Sequence, residues 1–147
     1  MPTLEINTNI GCKLACTFCP QDKIVKNYKD KDNKNLSFDK FEYYLSKIPK
    51  HVRIDFSGMT EPFLNPETNE FINYSYKKEY LVSIYTTLVG LKPNKAKKLL
   101  DRWGNKISKS CPWVIHLPDS TNNMRGWKKT DEYMETLNCF IDYKKKK

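Results

Sequence analysis

Three of the five cysteines, Cys12, Cys16 and Cys19, fall within eight residues in the stretch GCKLACTFCPQ, directly after the strand-like run TLEINTNI. Thiolates this close together are soft donors that suit zinc or an iron–sulfur cluster. A structural zinc site usually joins one C-x2-C pair to a second, distant pair, and ferredoxin-type clusters take C-x2-C-x2-C with a fourth cysteine. The spacing C-x3-C-x2-C is neither. Cys111 stands just before a predicted strand, at the opposite end of a parallel sheet from the trio. Cys139 lies inside a predicted helix, where a small buried thiol is the ordinary role. A four-iron cluster held by the trio alone keeps one iron open to a further ligand. The same residues also allow a non-catalytic module, with zinc on the trio plus His51 or His116. An N-terminus without a secretory apolar run places the chain in the cytoplasm, where thiols stay reduced and bind metal rather than form a disulfide framework.

The trio needs elements to hold it. Four short segments alternate apolar and polar residues and are rich in β-branched and aromatic types: 3–9, 51–57, 81–87 and 113–118. Helical spacing follows at 37–48 behind Ser37, at 66–79 with Pro66 in the first turn, at 92–103 up to Gly104, and at 129–143 entered through Thr130. The order βαβαβαβα predicts a parallel sheet, either open and doubly wound or curled into a barrel. One face of the strands reads Leu4, Ile6, Val52, Ile54, Phe56, Val82, Ile84, Trp113, Ile115 and Leu117. The other reads Glu5, Asn7, Asn9, Arg53, Asp55, Ser57, Ser83, Tyr85, Thr87 and His116. A wet face opposite a helix-covered one suits the lumen of a barrel better than a two-sided sandwich. In that lumen His116 would meet Asp55. The stretch KNYKDKDNKN is of low complexity and reads as a mobile loop.

With Phe18 before the third cysteine, C-x3-C-x-F-C resembles the signature of the radical S-adenosylmethionine (radical SAM) superfamily. The second strand runs into Gly58-Met59-Thr60-Glu61-Pro62, which resembles that family's glycine-rich segment ending in Glu-Pro. The resemblance implies an α/β fold, a parallel (βα)4 partial barrel corresponding to the first four units of a (βα)6 partial TIM barrel. It implies that Cys12, Cys16 and Cys19 hold a 4Fe–4S cluster whose open iron is chelated by S-adenosylmethionine. One electron from the cluster then yields a 5′-deoxyadenosyl radical that abstracts hydrogen from a substrate, a peptide or small metabolite before RNA. Phe18, Gly58, Met59, Thr60, Glu61, Thr87, His116, Asp119 and Ser120 become cofactor-contacting residues, with Thr86 beside them. In this picture the Glu61 carboxylate stands near the ammonium of S-adenosylmethionine. The electron donor would be a flavodoxin or ferredoxin. With four units where the family has six, residues 1–147 read as one truncated core domain, completed by a second copy or a partner, with 144–147 a basic tail. Alternatively, the residues after Pro118 cover the open edge with Trp127 as a plug.

Bulk properties bound these readings. At 147 residues the chain can bury an ordinary core without a disulfide or metal staple. No stretch of eighteen apolar residues exists to span a membrane. The formal net charge of +9 admits a nucleic-acid partner, but four of those charges are the terminal KKKK and most of the rest are scattered Lys next to Asn, without the Arg and aromatic clusters of a nucleic-acid surface.

Overall fold

The four strand patterns become β1 (Thr3–Ile6), β2 (Arg53–Phe56), β3 (Val82–Thr86) and β4 (Trp113–Ile115) in the computed structural model, which describes residues 1–30, 32–118 and 124–146. All three pairings are parallel and the spatial order is β1-β2-β3-β4. A doubly wound sheet reverses its strand order at a switch point. This one steps the same way at every crossover, as a barrel wall does, and it remains open. Asp55 is level with Glu5 on one side and Ser83 on the other, so the polar residues share one face.

The helices cover the opposite face. They are α2 (Phe38–Leu45), α3 (Thr68–Lys77), α4 (Pro93–Trp103) and α5 (Asp131–Lys145), with short 3-10 turns at Pro62–Leu64 and Gly104–Lys106; a further helix, α1 (Gln21–Asn27), follows the cysteine loop and adds nothing to this core. Ile54, Phe56, Val82 and Ile84 are wholly buried beneath them, each contributing about 1.5–3 kcal/mol by leaving water. The Phe41 and Phe71 rings stack with centroids 4.5 Å apart and join α2 to α3 over this layer. Leu117, expected on the apolar face, lies past the end of β4 and is exposed, because the strand stops at Ile115.

Local chemistry explains the remaining differences from expectation. The structure adds α1, a seven-residue helix opening on Pro20 and carrying only Ile24 and Val25 as an apolar pair, too short for periodicity to reveal. The third helix starts at Thr68 rather than at Pro66, because Asn65 Oδ1 accepts the Glu67 N–H and ends the preceding turn. The last helix takes up Lys144 and Lys145 of the basic tail, two cations at its negative end. The stretch read as a mobile loop is tied back at its far end. Asn35 bridges Asn9, the Ile10 N–H donates to Lys34 O and the Leu36 N–H to Thr8 O. Trp127, which the alternative reading uses as a plug, sets its ring edge-on against Tyr133 of α5 at 5.3 Å. No helix among the described residues is long and apolar enough to cross a membrane.

Candidate active site

The cysteine loop leaves the carboxyl end of β1, and each of its turns has a local cause. Gly11 takes φ +103°, and Ala15 reverses the chain between the first two cysteines with a left-handed φ of 48°. The loop is buttressed from the far end of the chain. Cys16 forms an antiparallel bridge with Met124, the Gly126 N–H donates to Leu14 O at 2.7 Å, and Arg125 Nε donates to Ala15 O. A Cβ on residue 126 would overlap the Lys13 carbonyl oxygen, so only glycine allows that approach.

Beside this loop lies the segment Gly58–Glu61, and side chains bind the two together. The Met59 N–H donates to Asn7 Oδ1 at 2.9 Å, Gln21 Nε2 donates to Met59 O, and Thr60 Oγ1 donates to Gly11 O at 3.3 Å. Gly58, at φ +99°, has the Asn7 side chain where a Cβ would stand. The Met59 N–H and C=O are therefore held by Asn7, just past β1, and by Gln21 at the start of α1. Asn7 and Gln21 were not singled out from the sequence; no residue pattern announces a side chain that clamps another segment's backbone.

Glu61 is turned inward. Its carboxylate, 2% exposed, accepts from Thr86 Oγ1 at 2.5 Å, from Thr87 N and Oγ1 at 2.6 Å each, and from Phe63 N at 3.3 Å. Burial pushes its pKa up against those hydrogen bonds. In this arrangement the carboxylate ties the segment after β2 to the end of β3, and the hydroxyls of Thr86 and Thr87 are spent on it.

Between the cysteine loop and the polar face of the sheet opens a cavity of about 520 Å³. Phe18, Cys19, Gly58, Met59 and His116 line it, together with Tyr85, which the sequence reading placed on the wet face without a role. His116 faces the lumen as expected, but Asp55 is occupied by Arg53, whose Nε and Nη2 reach its two oxygens at 2.7 and 2.8 Å. Arg53 Nη1 also donates to Ser110 O at 2.9 Å. His51 precedes β2 at the sheet end away from the trio, so a zinc site joining His51 to those thiols does not form. Cys111 is buried in the turn before β4 at that same end, and Cys139 donates to Pro93 O. Asp119 and Ser120 lie outside the described residues.

The profile of the Radical SAM superfamily matches residues 6–146, nearly the whole chain. The chain belongs to the radical SAM superfamily. No curated protein and no solved structure matches it. The family ordinarily uses a 4Fe–4S cluster, and the donor chemistry of this radical SAM chain fits one. Burial pushes the Cys12 thiol up, with the Glu61 charge adding to it against hydrogen bonds from backbone N–H groups. Burial, then the charges of Cys12 and Cys19, push Cys16 up. Three thiols on one short loop are the soft donors that an iron–sulfur cluster takes. Among the described residues no group of three or more His, Cys, Asp or Glu is placed around a single metal ion; in a 4Fe–4S cluster each cysteine takes a different iron.

Proposed function

We propose that the chain is a radical SAM enzyme in which Cys12, Cys16 and Cys19 hold a 4Fe–4S cluster and S-adenosylmethionine occupies the adjoining cavity. One observation carries this: the three-thiol loop and the Gly58–Glu61 segment, separated by some forty residues of sequence, are hydrogen-bonded together at the mouth of one cavity. When bound, cluster and S-adenosylmethionine supply one-electron cleavage of a sulfonium carbon bond and abstraction of a hydrogen atom from a substrate.

The chain's own residues position and enclose. Glu61 with Thr86 and Thr87 ties the segment after β2 to the end of β3. Asn7 and Gln21 fix the Met59 peptide, which presents backbone to an amino group. Phe18 and Met59 wall the cavity, and Arg53 pairs with the Asp55 carboxylate on the sheet face beneath it. His116 offers an imidazole at its rim. The reading includes a flavodoxin- or ferredoxin-like electron donor in the cytoplasm, and a second copy or partner along the open edge of β4.

Anaerobic reconstitution with iron and sulfide tests it. A brown protein with about four irons per chain is expected, falling to background when any one of the three cysteines becomes alanine. Colourless protein that retains one zinc would overturn it.

A further inference from the structure

The walls of the 520 Å³ cavity carry no lysine or arginine, although the chain has 26 of them and a net charge of +9. They carry two carboxylates instead, Glu5 and Asp55, which sit level with each other on neighbouring strands and face the same side. Like charges across a strand pair repel. Arg53 neutralises Asp55 through both of its oxygens. Among the described residues Glu5 receives only the Ser57 hydroxyl, at 2.9 Å, and joins no ion pair. The cavity thus holds one uncompensated negative charge. Around it stand the rings of Phe18 and Tyr85 and the thioether of Met59, of which Phe18 is 74% and Met59 46% exposed, unusual for such side chains. A carboxylate sharing a cavity with aromatic rings, and with no lysine or arginine in the lining, is an environment that holds a soft organic cation.

We propose that this cavity seats an organic cation, a sulfonium or an alkylammonium, against the Glu5 carboxylate with Phe18 and Tyr85 at its sides. The proposal rests on the reading above for one of its two sources, the sulfonium of S-adenosylmethionine. The other source is an amine carried by the molecule that gives up hydrogen. In either case Glu5 sets specificity by charge, and an anionic or neutral molecule of the same shape binds more weakly.

The test compares two matched pairs on the anaerobically reconstituted protein and its Glu5→Gln variant by calorimetric titration. The first pair is S-adenosylmethionine and S-adenosylhomocysteine, which differ in sulfonium against thioether; the second is pentylamine and 1-pentanol. Glu5 is exposed and has one hydrogen-bond partner, so the variant keeps its fold and its iron. We expect the wild type to prefer the charged member of at least one pair by about tenfold or more. Glu5→Gln should narrow that preference to about threefold or less and leave the neutral member's affinity unchanged. Loss in the first pair identifies the sulfonium, loss in the second the amine. A preference that Glu5→Gln leaves intact in both pairs, or no preference in the wild type, overturns the proposal. A wild type that binds neither adenosyl compound refutes the enzyme reading instead, and the amine pair still decides this one.

Discussion

Replacing Glu61 by alanine removes the acceptor that ties the segment after β2 to the end of β3. Four donors lose their partner: the hydroxyls of Thr86 and Thr87 and the N–H groups of Thr87 and Phe63. The hydroxyls can rotate toward other acceptors, but the two amides cannot. Each buried donor left unpaired costs about 1–3 kcal/mol, and the Phe63 bond, at 3.3 Å, belongs at the low end. With the emptied space added, Glu61→Ala should lose about 3–5 kcal/mol, much of the stability of an ordinary domain. Glu61→Gln keeps one acceptor oxygen and lets the Thr hydroxyls turn to accept, at about 1–2 kcal/mol. Burial raises the Glu61 pKa in the fold, so its proton favours the native state. That contribution is whole below the ordinary carboxyl range and is lost as pH rises through the folded pKa. The deficit of Glu61→Gln should therefore shrink from acid toward neutral pH. Urea unfolding under reducing, anaerobic conditions at pH 5 and pH 7 measures both effects. A Glu61→Ala variant within about 0.5 kcal/mol of wild type would refute the inward role of the carboxylate.

Other substitutions probe other parts of the account. Gly126→Ala forces a Cβ into the Lys13 carbonyl oxygen, a backbone atom that cannot swing away, so the variant should reconstitute with well under half the wild-type iron while its helical circular dichroism persists. Burial pushes the Tyr76 phenol up to about 12. The neutral phenol therefore stabilises the fold below pH 10, and about 2–3 kcal/mol is lost between pH 10 and 12. Tyr76→Phe should shallow that alkaline limb in denaturant titrations while costing about 1 kcal/mol at pH 7, because Trp113 Nε1 loses its acceptor at 3.0 Å. Cys111→Ser and Cys139→Ser should leave the iron content unchanged, as both thiols lie away from the loop.

The layout of the sheet was legible because strands covered on one face only alternate cleanly. Ile54 and Phe56 against Asp55 and Ser57 show both period and direction, and the trio's place follows from the end of β1. The strand order, which decides between a barrel wall and a doubly wound sheet, lies in pairings that alternation does not encode. The site was half legible. Cysteine spacing and SGMTEP are local patterns, so they can be read along the chain. The clamp on Met59 by Asn7 and Gln21 joins three separate segments through side chains of ordinary type. The direction of Glu61 depends on where Thr86 and Thr87 arrive, and their β-branched pattern reads as strand filling. The buttress at Met124–Gly126 is invisible for the same reason: a glycine in a polar stretch signals a turn, and only the fold shows the cysteine loop pressed against it.

Whether the protein cleaves S-adenosylmethionine by one-electron reduction is measured most directly by its product. Reconstituted protein reduced with dithionite and mixed with S-adenosylmethionine should release 5′-deoxyadenosine, detected by mass-resolved chromatography, and release should vanish when Cys12, Cys16 or Cys19 is replaced by alanine. Wild-type protein carrying about four irons that forms no 5′-deoxyadenosine above the level of the cysteine variants would contradict the account.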